Sequence, residues 1–299
     1  MANGKLIVIS GPTASGKSEL AFQLAQQWNC PILSADSRQI YKEVDIGTGK
    51  PTKYMLKAVK HYFIDHVKVD AGYSVGDYEK EALLVLNALF QEHKRAIVCG
   101  GTGLYLKALL YGLDDLPSTD EASRQKVSLL LEAEGLSGLL ARLHKVDPVY
   151  YEFVDRNNPR RICRALEIYE MTGQSFSSFR KNAPMDRSFE FREYCLMPDR
   201  DWLYRKIEAR VDQMMQDGLL EETIKLRPYQ SLQALDTVGY KELFEYLDGK
   251  ISLENAVQFI KQRTRNYAKR QMSWFRKESF SNFVDPSKQN VLQEILNAI

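Results

Sequence analysis

Cysteine and histidine are scarce, four of each in 299 residues. Cys30, Cys99, Cys163 and Cys195 show no metal-ligand spacing, so a structural zinc site and a disulfide scaffold are excluded. Each reads as a small buried hydrophobe in a reduced protein. His61, His66, His93 and His144 form no paired motif either. No apolar run approaches the roughly 20 residues of a membrane span, so no membrane partner is expected. The run Leu6–Ile9 is too short for a signal-peptide core and has no small-residue cleavage site after it. A cytoplasmic protein is the simplest expectation. Repeats and low-complexity segments are absent. Excess charge is also missing: 41 basic residues face 39 acidic ones, a net of +2. As a total, that number argues against a nucleic-acid partner. What remains is 44 % hydrophobic and 11 % aromatic, which excludes disorder and supplies a core.

Residues 5–110 alternate short apolar runs with helical stretches. Lys5–Ile9, Pro31–Ala35 and Arg95–Cys99 read as strands, and Lys17–Trp28 and Tyr78–Phe90 as helices. This is the pattern of a parallel sheet covered by helices. A polar break follows at 114–121, where Ser118 and Glu121 have capping-box spacing. Residues 120–180 read as helices interrupted at Gly135 and at Asp147-Pro148. Phe189–Met197 reads as a returning strand, Pro198-Asp199 as the start of a helix to about Leu226, and 239–277 as helical again. The expected fold is an α/β, phosphate-loop parallel sheet core made from 1–115 and 189–299. A helical insertion over 116–188 and a C-terminal helical layer complete it.

Three strand ends carry chemistry. Gly11-Pro12-Thr13-Ala14-Ser15-Gly16-Lys17-Ser18 matches G-x-x-x-x-G-K-[ST] between a strand and a helix. Its glycines let backbone N–H groups face a phosphate, and the helix start adds partial positive charge. Lys17 supplies a point charge, and the Ser18 hydroxyl can ligate Mg²⁺. The loop binds a polyphosphate without saying which. Asp36 ends the second strand and so faces the crevice where ligands of open α/β sheets sit. It can ligate a metal, act as a general base or cap the next turn. Gly100-Gly101-Thr102-Gly103 forms a third junction, where Thr102 either meets a substrate or closes a plain turn.

The near-zero charge is unevenly spread. Arg156–Arg164 and Lys261–Lys277 hold eleven basic residues and no acidic one. Elsewhere thirty basic residues face thirty-nine acidic ones, a remainder of −9. In the second segment Arg263, Asn266, Arg270, Ser273 and Lys277 share one helical face. Val257, Ile260, Thr264, Tyr267 and Trp274 share another, expected to pack. One side can therefore meet phosphates of a large anionic partner.

Eight blocks in this order resemble the tRNA dimethylallyltransferases in their bacterial form. They are GPTASGKS (11–18), DSRQIYKEVDIGTGKP (36–51), HYFIDHV (61–67), YSVGDYEKEA (73–82), GGTGLYLKALL (100–110), RRICRALE (160–167), VGYKEL (238–243) and TRNYAKRQMSWFRK (264–277). The resemblance implies transfer of a dimethylallyl group from dimethylallyl diphosphate to N6 of the adenosine at tRNA position 37. Mg²⁺ is the implied cofactor and the tRNA anticodon stem-loop the implied partner; a monomer is expected. It further implies Asp36, Thr102 and Lys17 as catalytic, and Gly11, Pro12, Thr13, Ala14, Ser15, Gly16, Lys17 and Ser18 as the diphosphate site. Asp36, Ser37, Arg38, Gln39, Thr102, Arg124, Arg160, Arg161, Ile162, Cys163 and Arg164 are the implied tRNA contacts. Two positions depart from the pattern. Asp155-Arg156-Asn157-Asn158 stands where many members have His-Pro-Asn-Asp. Asp236 stands where some members place an arginine for the diphosphate, so no C-terminal residue is assigned that role.

Other functions share parts of this reading. A small-molecule phosphoryl transferase accounts for the loop and Asp36 but not for the basic runs. A prenyltransferase acting on free adenine nucleotides has no use for them either. A nucleic-acid-binding ATPase module leaves Asp36 and Thr102 idle.

Overall fold

The computed structural model describes residues 4–180, 183–278, 282–288 and 290–299. In chain order the elements are β1 (Lys5–Ser10), α1 (Lys17–Trp28), β2 (Ile32–Ser34), α2 (Lys53–Ala58), β3 (His61–Tyr62), α3 (Val75–Glu92), β4 (Arg95–Gly100), α4 (Gly103–Tyr111), α5 (Glu121–Val146), α6 (Pro148–Phe153), α7 (Pro159–Thr172), β5 (Glu190–Leu196), α8 (Arg200–Gln216), α9 (Leu219–Lys225), α10 (Tyr240–Leu247), α11 (Leu253–Lys277), β6 (Phe283–Val284) and α12 (Val291–Ala298). The chain forms two units. One holds the chain through Tyr111 together with Asp186–Ile299, and the other is Gly112–Met185.

The first unit is an α/β layer structure. Six strands run in the order β3-β2-β4-β1-β5-β6, every neighbouring pair parallel. Parallel strands lie between helical layers, so both faces must be apolar. Leu6 and Val8 of β1 join one core with Tyr78, Leu106 and Tyr240, while Ile7 and Ile9 join another with Leu24 and Ile97. All four β1 side chains are fully buried, each removal from water contributing about 1.5–3 kcal/mol. Ser10 lies opposite Gly100 and Ser34 opposite Cys99, so β1, β2 and β4 end level with one another. That register brings the three chemically loaded strand ends to one crevice.

The Gly112–Met185 unit has its own core of Val127, Leu139, Leu143, Ile162, Leu166 and Ile168. Gly135 breaks α5 at φ 65°, and Asp147 caps α6 ahead of Pro148. The interruptions at both sites follow the sequence expectation.

Several expectations need correction. Ser118 does not cap α5; Asp120 does, accepting the Ser123 N–H at 2.8 Å. α3 begins at Val75 rather than Tyr78, because Ser74 and Asp77 form a reciprocal capping box. The helix expected to Leu226 stops at Gln216, since Gly218 enters at φ 100° and restarts α9. The 239–277 stretch is two helices, α10 and α11, with Ser252 capping the second. Tyr267, expected on the packed face, is 39 % exposed; Ala268, Gln271, Met272 and Phe275 occupy the buried face of that part of α11. Among the described residues no helix is long and apolar enough to cross a membrane.

Candidate active site

The crevice at the strand ends is lined by Lys17, Ser18, Ser34, Asp36, Gln39 and His61, with Ala21, Ile32, Pro51, Ile64 and Cys99 as its apolar wall. Polar and apolar groups line the same crevice. That pairing suits a molecule with a charged head and a short hydrocarbon part.

The phosphate loop begins where β1 ends. Gly16 caps α1 at φ 85°, a conformation that glycine adopts without penalty. The first-turn N–H groups of α1 have no carbonyl four residues back and are left to bind an anion. Lys17 reaches back to the Pro12 carbonyl at 3.2 Å. Burial lowers the Lys17 ammonium below the usual lysine range and Arg210 adds to this; Cys99 and Asp36 oppose it. A bound anion would reverse that pressure. The Thr13 N–H is already bonded, to the side chain of Gln271 at 2.9 Å. Any diphosphate contact by Thr13 therefore falls to its hydroxyl.

Of its three sequence roles, Asp36 fills the turn cap. Its Oδ1 accepts the Arg38 N–H at 2.9 Å and the Gln39 N–H at 3.4 Å, which is the turn cap. Among the described residues its other oxygen carries no hydrogen bond, and the carboxylate lines the crevice. The cap holds the group in place for chemistry. Thr102 braces the same turn from the loop after β4: its hydroxyl oxygen accepts the Ser37 N–H at 3.0 Å and its hydroxyl donates to Ser37 Oγ at 3.3 Å.

The other implied contacts divide. Arg38 donates to the Gln233 and Ala234 carbonyls at 3.1 and 3.0 Å, and Gln39 donates to the Gly49 carbonyl at 3.1 Å. Both side chains hold the crevice wall together. Arg124 and Arg164 converge on Thr119, donating to its carbonyl at 2.8 Å and its hydroxyl at 2.6 Å respectively. Arg160 and Arg161 are exposed at the start of α7. Ile162 must be corrected: it is fully buried in the core of its unit, so its side chain meets no partner. Cys163 packs partly against the same core. Arg263, expected on the phosphate-facing side of α11, pairs with the buried Glu242 at 2.8 Å.

Three groups at the crevice, or electrostatically coupled to Asp36, carry a weight the sequence reading did not give them. Arg210 of α8 lies close enough to Lys17 and Asp36 to bear on their charge balance, and burial lowers its own pKa against the opposing pull of Asp36. A side chain at Gly49 would collide with its guanidinium. The available signal was a cation on an apolar stripe, with Leu203, Ile207 and Val211 buried around the same helical face. His61 ends at the crevice with Nδ1 against the Val59 carbonyl at 2.9 Å, and burial holds its pKa below the usual histidine range. Its sign would have been the short strand β3, which two residues hardly announce. Tyr267 is the third: although 39 % of the residue is exposed, partial burial of its hydroxyl and then Asp36 push it up to about 12. His66, by contrast, pairs with Glu81 at 2.6 Å and packs against Phe63 and Tyr73.

Comparison with known proteins adds to this geometry. The sequence model of the family described as IPP transferase matches residues 39–278. A tRNA dimethylallyltransferase of Christiangramia forsetii is 48 % identical over 91 % of this chain and 90 % of its own length. One from Bacteroides thetaiotaomicron is 43 % identical over 97 % and 94 %. Among solved structures, the full-length tRNA isopentenylpyrophosphate transferase of Bacillus halodurans superposes with a TM-score of 0.72 at 34 % identity, over 98 % of this chain and 95 % of that one. A eukaryotic dimethylallyltransferase described as acting on tRNA gives a TM-score of 0.82 at 28 % identity, over 98 % and 78 %.

Proposed function

The chain belongs to the IPP transferase family, and from that premise we propose that it moves the dimethylallyl group of dimethylallyl diphosphate onto N6 of the adenosine at tRNA position 37. It is a prenyltransferase of tRNA modification. The observation that carries the finer reading is Asp36, half engaged as a cap and half presented to a crevice that also holds Lys17 and Ser18.

An adenine amino group is a weak nucleophile because its lone pair is shared with the ring. An allylic diphosphate compensates if its leaving group is stabilised. As the N6–C bond forms, the C–O bond to diphosphate breaks and its electron pair leaves with the phosphate. Lys17, Arg210 and the first-turn N–H groups of α1 stabilise the charge that develops there. Asp36 accepts the N6 proton, a contribution of typically about 10²–10⁴-fold. The apolar wall of Ala21, Ile32, Pro51 and Ile64 receives the hydrocarbon and keeps water from competing. The target adenosine must leave its stack to reach this depth.

The residues also fit Mg²⁺. Among the described residues no group of three or more His, Cys, Asp or Glu side chains forms a dedicated cage. Ser18 and Asp36 line one crevice, and Mg²⁺ takes few protein oxygens where a phosphate supplies others. Ser18 would hold the ion, which when bound adds charge stabilisation for the departing diphosphate.

The Gly112–Met185 unit serves, in this reading, as the tRNA-binding insertion. Arg160 and Arg161 in that unit, and Lys269, Arg270, Arg276 and Lys277 of α11, offer cations to the anticodon stem-loop backbone. One chain carries every group named, which suits a monomer. Four free thiols suit the reducing cytoplasm.

The test offers unmodified tRNA, adenosine monophosphate and ATP separately with labelled dimethylallyl diphosphate. Label entering tRNA alone is the expected result. Label on the free nucleotide instead would transfer the assignment to the nucleotide-specific alternative. Asp36→Ala is expected to lower turnover by at least ~10²-fold while tRNA affinity stays within about twofold. Retained turnover would remove Asp36 as the base.

A further inference from the structure

α11 carries a polar residue on its buried face. Gln271 is 7 % exposed and sits among Ala268, Met272 and Phe275. Both ends of its carboxamide are engaged. Oε1 accepts the Thr13 N–H at 2.9 Å, and Nε2 donates to the Gly101 carbonyl at 2.9 Å. Thr13 belongs to the phosphate loop after β1, and Gly101 to the turn after β4 that carries Thr102. A side chain on Gly101 would meet Nε2 at 2.5 Å, so the turn leaves room for this contact.

The chemistry of the bridge is specific. It needs one acceptor and one donor on the same short planar group, which an amide supplies. An ionised carboxylate accepts but cannot donate, and an ammonium donates but cannot accept. An apolar residue would satisfy the packing of this face without dehydrating an amide. The amide is therefore explained by what it joins and not by the core around it. Thr102 in turn holds Ser37, next to Asp36.

We propose that Gln271 is a positioning residue: it sets the diphosphate loop in register with the Thr102–Ser37–Asp36 turn and ties both to the helix whose exposed face carries Lys269, Arg270, Arg276 and Lys277. This rests on the transferase reading for the identity of what is positioned. The leaving group is held by one loop and the base by the other. Their separation decides whether donor and adenosine meet in line.

Two full-length variants test it. Q271M keeps the length of the side chain and removes both hydrogen bonds. Q271E accepts from Thr13 when ionised, and when protonated it also donates to Gly101. At about pH 8 both variants are expected to lose roughly tenfold or more in kcat/KM for dimethylallyl diphosphate, with tRNA Kd within about twofold. As pH falls through the titration of the introduced carboxyl, which burial raises above the free value of ~4.3, the activity of Q271E relative to the unmodified chain at the same pH should rise, while the Q271M ratio stays flat. Both variants lose the bridge at high pH and only Q271E can regain a donor in acid, so a ratio that rises in Q271E and stays flat in Q271M is not produced by a loss of stability alone. Binding of inorganic diphosphate, measured by calorimetry, is expected to weaken about fivefold or more in Q271M. That arm needs no turnover. If the unmodified chain transfers no prenyl group, the transferase reading fails while the diphosphate arm still judges Gln271. Unchanged kcat/KM and diphosphate affinity in Q271M, or a pH-independent Q271E ratio, overturn the proposal.

Discussion

Asp36 and Glu193 are two carboxylates in different surroundings. Asp36 accepts two backbone N–H groups and is offered to the crevice. Glu193 of β5 is 5 % exposed; Oε2 receives the Tyr111 hydroxyl at 3.3 Å, and among the described residues Oε1 has no hydrogen-bond partner. Burial raises its pKa from 4.5 to about 7 against the smaller opposing effect of Tyr111. Because the folded state binds this proton more tightly, stability is fully present below pH 4.5 and is lost as pH rises through about 7. The loss is up to ~3 kcal/mol by linkage. Glu193→Gln, which keeps the shape and never ionises, should melt higher than the unmodified chain at alkaline pH. The difference should vanish in acid. Thermal unfolding monitored by circular dichroism across that range measures it, and equal melting curves at pH 8 would show that Glu193 ionises without cost.

Among elements, α6 depends on a single buried side chain. Asp147 is 1 % exposed, and its Oδ1 accepts the Tyr150 N–H at 2.9 Å and the Ser177 hydroxyl at 2.6 Å. Its Oδ2 takes the Ser177 N–H at 2.8 Å. One residue therefore starts a helix and pins the turn after α7. Asp147→Ala leaves three donors without a partner and is expected to cost about 2–4 kcal/mol in urea unfolding. Asp147→Asn keeps an acceptor for Tyr150 but gives up an acceptor for Ser177, so it should fall between. α8 and α9 illustrate the reverse, where a helical pattern misleads. Apolar spacing runs on past Gln216, yet Gly218 at φ 100° stops the helix. Composition alone marks the glycine without saying that it ends the element.

At the scale of the whole molecule, the basic runs are less uniform than their count. Lys261, Arg263 and Arg265 of α11 pair with Asp212, Glu242 and Glu208 of neighbouring helices. Among the described residues no ion pair holds Lys269, Arg270, Arg276 or Lys277. Of these seven cations, the proposed reading assigns the second group to displace counterions from RNA. Lys277→Ala should reduce the slope of log K against log salt by about 0.7–0.9 and weaken tRNA binding at low salt. Arg263→Ala should leave that slope unchanged. It should instead destabilise the fold by about 2 kcal/mol, because Glu242, 1 % exposed, loses its counter-ion. Filter binding over a salt series, paired with thermal melts, separates the two. Equal slopes for both variants would show that pairing within the fold does not select the RNA-facing cations.

Much of this protein is legible in sequence because its signals are local. The phosphate loop lies within eight residues, α1 was bounded to the residue, and Asp36 stands at a strand end where topology alone places it in the crevice. Periodicity also separated a helical stretch in 120–180 from the α/β part. What stayed hidden depends on partners distant in the chain. Arg210 reads as one more charge on a helix until α8 brings it beside Asp36, and Gln271 as one more polar residue until α11 lays it between two loops. Tyr267 was assigned to the packed face because its spacing fits, but the neighbouring helices cover the other side. Sequence determined which residues could carry the chemistry, since backbone geometry and residue type are set within a few positions. Tertiary structure decided which of them are available for it, since burial and ion pairing arise only when remote elements meet.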